Sequence, residues 1–445
     1  MFQVLRNAWK IVDLRKKILY TFLIILIFRI GSAIAVPFVD VSAFKVEGLG
    51  NDFMNLLTLM SGGGFSNASL FSLSITPYIN ASIIIQLLTV ALPPLERLAK
   101  EGEAGRKKLA QITRYTTVGL GLMLGVAYYF MVRNTYNALV PEAKSGLAGW
   151  FAGIVIVLCF CAGSSLMMWL GEQINEKGIG NGISILLFAG IIASIPNGAV
   201  YLWRIFYESG IAVLEEGGSA AIANIVLVPI VLILFLLMIA FIVFISDAER
   251  RIPVQYAKKV VGRKMYGGQS TFIPIKVNTS GVMPIILASS ILALPSIIAS
   301  FVYGGKSAPT DTFWGKFFNF FNSSSWGYLV LLFLLIIGFA YFYVTIQYNP
   351  LEMANNLRKN SGAIPGYRPG KPTSDYIKRV LSKVTLIGAL FLGVIAVFPG
   401  IFGNITGVNL SLGGTSIMIV VGVALETTQQ IESQMMMRHY KGFLE

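Results

Sequence analysis

The side chains that could do covalent chemistry are few and badly placed for it. The single histidine, His439, lies in the C-terminal tail, so paired-histidine metal chemistry of the HExxH kind is absent, and there is no GxSxG nucleophile motif. Cys159 and Cys161 sit two apart in one apolar run, where packing is their ordinary role and a disulfide between them is geometrically implausible. Gly305-Lys306-Ser307 mimics the end of a phosphate-binding loop, but Ser300 stands where G-x4-G-K-[ST] needs its first glycine. GIGNG, within 178–182, follows no strand and reads as a tight turn. No enzyme, cofactor or metal site is expected.

The physical chemistry on offer is of another kind. Ile75 and Ile79 are four apart and share one helix face, as do Ile183 and Leu187. Such pairs usually pack in a core; set around a pore, they would form a constriction that resists water and ions by dewetting. Just upstream, an apolar stretch is broken by Gly62, Gly63 and Gly64 and made polar by Ser61, Ser66, Asn67, Ser69 and Ser72. Consecutive glycines are poor helix formers and good hinges. Broken backbone at membrane depth is tolerated only against protein or a water-filled cavity. The expectation is a short, hinged half-helix over about 61–72, serving as a movable stopper beside a helix over about 75–92.

The elements that must position these residues are membrane spans. Of 445 residues, 55% are hydrophobic and 13% charged, about half the charge of a soluble protein. Apolar runs of bilayer-crossing length predict ten spans: 18–36, 70–92, 115–132, 148–170, 183–203, 221–246, 280–303, 326–346, 384–403 and 410–428. The first carries no convincing signal-peptide cleavage site. Alternate loops hold 28 of the 35 Lys and Arg, the others hold six, and Arg29 lies inside the first span. That asymmetry places both termini in the cytoplasm.

The second and seventh spans share P-x-I-x-A-S, at Pro77–Ser82 and Pro284–Ser289. Each is the second span of a five-span half, so the fold expected is all-α and polytopic, with halves 1–203 and 204–445 in inverted orientation and the functional pathway between them. Two basic cytoplasmic loops, 247–279 and 347–383, are longer than topology needs. Their charge fits the ordinary positive-inside rule; their length fits docking of a partner rich in phosphate or acidic groups. An ion-coupled transporter would bury several ionisable residues, and only Arg29 and Glu426 stand out in the spans. Arg29 is expected to pair with backbone or a neighbouring helix, or to snorkel. A scaffold that only binds ribosomes through basic loops would leave the hinged stretch unexplained.

Five strings, PYINASIIIQLLTV (77–90), EGEAGRKK (101–108), GEQINEKGIGNGISI (171–185), IPGYRPG (364–370) and GGTSIMIVV (413–421), together resemble the SecY/Sec61-alpha family of protein-translocation channels in its bacterial form, over about 15–435. The resemblance implies an hourglass pore within a ten-helix clamshell in the bacterial plasma membrane. It implies a waist of Ile75, Ile79, Ile183, Leu187, Ile286 and Ile419, with Leu187 where isoleucine is common. It implies a plug over 61–72, including Phe65, Ala68 and Leu70, and a lateral gate between spans two and three and spans seven and eight, with Gln86 and Asn278 at polar gate positions. It implies docking of the ribosome, including its RNA, and of the SecA motor through Arg263, Lys264 and Arg368. Small SecE and SecG subunits, signal sequences, unfolded polypeptides and membrane lipids complete the implied partners. Nothing carries over onto the outer loop 304–325.

Overall fold

The computed structural model describes residues 6, 8–41, 61–65, 67–134, 138–141, 146–216, 219–256, 259–261, 264–266, 270–302, 312–321, 325–406 and 414–441. Ser66 and Arg263 lie outside the described residues, and of Lys264 only the backbone is described.

Each apolar run closes its backbone hydrogen bonds as helix, the arrangement that leaves no polar backbone facing hydrocarbon. In chain order these are α1 (Val12–Ala33), α2 (Thr76–Ala91), α3 (Pro93–Lys100), α4 (Glu103–Asn134), α5 (Gly146–Lys177), α6 (Gly182–Glu216) and α7 (Ser219–Asp247). They continue with α8 (Met283–Val302), α9 (Phe313–Phe320), α10 (Trp326–Gln347), α11 (Pro350–Lys359), α12 (Lys371–Thr406) and α13 (Gly414–Lys441). Each of the ten expected spans overlaps one of these helices. Among the described residues, the helical segments 103–133, 148–177, 226–247, 326–359 and 371–405 are each long and apolar enough to cross a membrane, and α2 with α3 makes a sixth candidate.

The second span is shorter than its apolar run. The helix begins at Thr76, with Pro77 in its first turn, where a missing N–H costs nothing. It ends at Leu92, held extended ahead of Pro93, and α3 leaves at 101°. Along α3 the Lys100 ammonium donates to Glu96 at 2.5 Å.

The two long basic loops are not irregular. Strand β1 (Glu249–Tyr256) pairs antiparallel with β4 (Ser270–Lys276), from Glu249↔Lys276 to Gln255↔Ser270, and Lys259–Val261 (β2) pairs with Lys264–Tyr266 (β3) between them. β5 (Gly362–Ala363), from the other loop, adds to the free edge of β1. Ile252, Val254 and Ile275 from the ribbon share one small core with Leu357, Ile364 and Ile377, and with Val344 of α10 and Leu381 and Val384 of α12. Asn349 caps α11 by accepting from the Leu351 and Glu352 amides.

Candidate functional site: an apolar waist under a tethered plug

The six residues expected at a waist fall in one apolar cluster. Ile75 and Ile79 come from the start of α2, Ile183 and Leu187 from α6, Ile286 from α8 and Ile419 from α13. Ile75, Ile79, Leu187 and Ile419 are buried, and Ile183 and Ile286 are half-buried against them. Elements from both halves of the chain therefore meet through branched aliphatic side chains, which offer a solute no hydrogen bond. Sequence spacing pointed to two helix pairs only. Phe28, Phe71, Met167 and Leu287 belong to the same cluster, and no local signal separated them from other apolar residues.

The hinged stretch that leads into this cluster is not a half-helix. Residues 61–65 and 67–75 form a chain of turns. Gly64 donates to Ser61 O, Ala68 to Phe65 O, Ser72 to Ser69 O and Ser74 to Phe71 O, each closing a single i→i+3 loop. Gly62 and Gly63 adopt φ of +63° and +86°, which only glycine enters freely. Ala68 and Ser74 are also left-handed, at +44° and +50°. A helix is lost here because the backbone groups find partners elsewhere. Val36 N donates to Ala68 O at 3.0 Å and Leu70 N to Ile34 O at 2.9 Å, tying the stretch to the exit of α1.

Side chains add further tethers. Arg29 Nη1 donates to Gly62 O at 2.7 Å, beside a pocket of about 300 Å³ lined also by Ile30, Ser32, Ala33 and Asn67. Of the outcomes expected for Arg29, which were backbone, a neighbouring helix or snorkelling, the side chain meets backbone. Tyr128 Oη donates to Phe65 O at 2.7 Å, and its ring packs edge-on against Phe65 and Phe160, with centroids 4.7 and 4.6 Å away. Ser72 Oγ donates to Gly64 O and Ser69 O, and Phe65 N donates to Ser61 Oγ. Phe71 lies against Phe28 and over Gly31, where a Cβ would meet its ring at 2.0 Å. The Leu70 carbonyl rests on Gly163 of α5, where a Cβ would stand 2.0 Å from the oxygen.

Gln86 is half-buried on α2, and its carbonyl accepts from Thr89. Asn278 precedes α8; its Oδ1 is buried and has no hydrogen-bond partner among the described residues. No hydrogen bond joins the two. Arg368 is exposed in the turn after β5, and its carbonyl accepts from Thr373 Oγ1 at 2.8 Å.

Apolar helices long enough to span a membrane, an apolar cluster gathering elements from both ends of the chain, and a tethered, non-helical stretch leading into it define a polytopic membrane protein. The SecY family model matches residues 69–428. The chain is 43% identical to "Protein translocase subunit SecY" of Streptomyces galbus, over all of both chains. It is 42% identical to the protein of the same description from Halalkalibacterium halodurans, again over all of both. The chain belongs to the SecY family. The fold agrees with a solved structure described as "The structure of a protein conducting channel", at a TM-score of 0.65 and 19% identity, covering 94% of this chain and 92% of that one. It agrees also with canine Sec61 in a ribosome–channel complex, at a TM-score of 0.61 and 17% identity, covering 94% and 92%.

Proposed function

We propose that this chain is the pore subunit of a bacterial protein translocase, passing unfolded secretory polypeptides across the plasma membrane and releasing apolar segments sideways into lipid. The observation that carries this reading is the apolar cluster that joins Ile75 and Ile79 to Ile183, Leu187, Ile286 and Ile419 next to the tethered residues 61–65 and 67–75. Branched aliphatic walls suit a substrate of arbitrary sequence, because they bind no one side chain strongly and still exclude water when closed. A sufficiently apolar segment would leave through the seam between α2 with α4 and α8 with α10, which carries Gln86 and Asn278, as transfer energetics favour. Membership of the SecY family makes the chain a channel subunit and not a catalyst, so the driving force must come from partners.

Those partners are a translating ribosome or the SecA motor at the cytoplasmic face. Arg263, Lys264 and the exposed Arg368 are the docking cations, and SecE and SecG accompany the chain. The lysine and arginine asymmetry supports ten spans in two inverted halves, 1–203 and 204–445, with both termini in the cytoplasm.

The test is crosslinking of a stalled secretory chain to Ile79→Cys and Ile286→Cys. Adducts at both positions are expected. Adducts along some other route through the bundle, with none at these two, would refute the assignment.

A further inference from the structure

Helix α9 lies in the segment 304–325, to which the family resemblance carries no role, and its surface is unusual. On a helical wheel Phe320, Phe313, Phe317, Phe321, Trp314 and Phe318 occupy one arc of about 160°. Lys316, Asn319 and Gly315 fill the remainder. Phe313 is 75% exposed, Trp314 59%, Phe317 42% and Phe320 46%. A contiguous aromatic patch of this kind marks an interaction surface.

Its surroundings say what covers it. Phe320 lies on the first turn of α10, where a Cβ on Gly327 would meet its ring at 2.0 Å. From that turn α10 carries Trp326, Val330 and Leu334 at four-residue spacing, each 58–59% exposed. On a helix long and apolar enough to cross a membrane, such a stripe faces hydrocarbon. Through Phe320 the aromatic arc of α9 packs onto the end of α10 at which this stripe begins. Tryptophan and phenylalanine belong at the boundary between headgroups and acyl chains, where an amphipathic helix lies flat with its apolar face down.

We propose that α9 is an interfacial anchor whose partner is the lipid surface itself, with Phe313, Trp314 and Phe317 set into the headgroup boundary and Lys316 and Asn319 on the headgroup and water side. A protein partner fits less well, since a specific interface needs roughly 800 Å² per side and α9 has eight residues. Lipid requires no shape match. The seating in lipid rests on α9 and α10 alone; that the leaflet is the outer one rests on the topology proposed above.

The complete translocase, in a Cys159→Ala, Cys161→Ala background, would be reconstituted in phosphatidylcholine–phosphatidylglycerol vesicles. An environment-sensitive fluorophore would be attached through Trp314→Cys, Phe317→Cys, Lys316→Cys or Asn319→Cys, one at a time. Shallow doxyl-labelled lipid should quench the probes at 314 and 317, and external iodide those at 316 and 319. Equal iodide quenching at 317 and 319 would place the helix in water and overturn the proposal. Protection of 317 from both quenchers would mean a protein covers the patch, and would overturn it as well. Iodide acting only from the lumen would leave the anchor intact but refute the topology. A label-free check is that lipid quenching of total tryptophan emission falls in Trp314→Ser; no fall counts against the anchor.

Discussion

The guanidinium of Arg29, in α1, donates to the carbonyl of Gly62 at 2.7 Å and so fastens the glycine hinge of the proposed plug to α1. A hydrogen bond from a charged donor contributes roughly 1.5–3 kcal/mol, more than a neutral one. Arg29→Gln is therefore expected to shift the resting equilibrium toward a displaced plug by about tenfold or more. Ion conductance of resting proteoliposomes measures it; a leak equal to the unaltered protein's would show that the contact does not hold the plug.

The proposed plug should also be displaced from the α5 side. Gly163 has no space for a methyl group against the Leu70 carbonyl. Gly163→Ala should raise the resting leak while membrane insertion of the protein stays normal, and Tyr128→Phe, which removes the bond to Phe65 O, should raise it less. An alanine variant as tight as the parent would mean α5 shifts to make room.

At the waist, dewetting depends on an unbroken apolar ring. Ile79→Asn should pass small ions with the plug in place, whereas Ile79→Leu, which keeps the volume, should not. Single-channel recordings distinguish the two. Equal conductance in both variants would move the seal away from this cluster.

The tip between α5 and α6 gives a prediction about stability. Thr21 Oγ1 accepts from the buried Ile179 amide at 3.1 Å and donates to Lys17 O at 3.0 Å. Thr21→Val leaves that amide without a partner, at a cost of about 1–3 kcal/mol. Thermal unfolding in detergent should begin several degrees lower, while Thr21→Ser should stay near the parent.

Arg368→Glu should leave the same melting behaviour unchanged, because the side chain is exposed, and should sharply reduce SecA-driven export. Normal export by this variant would remove Arg368 from the docking surface.

Much of this was legible in the residues, for physical reasons. Long apolar runs in a chain with 13% charge can satisfy their backbone in lipid only as helix, so the runs marked the helices. For Arg29 the residues left backbone, a neighbouring helix and snorkelling all open, and only the fold selects the Gly62 carbonyl. The plug's conformation was not legible. Its turns are fixed by tertiary acceptors and donors, Ile34, Val36, Arg29 and Tyr128, which lie far off in sequence or out of pattern. The strands of the first basic loop were missed, although Ile252 and Val254 are buried between exposed neighbours in the alternation that marks a half-buried strand. Spacing could suggest that Ile75 and Ile79 share a face, but not that Ile286 and Ile419 would complete their cluster, because that meeting is made by packing between the halves.

The strand that the second basic loop lends to the first has a mechanical corollary. With Ile252, Ile364 and Ile377 packed in one core that also holds the ends of α10 and α12, the parts of the two loops that enter it form one handle rather than two separate fingers. A load applied to that handle is expected to reach both helices at once instead of being spent on bending slack chain.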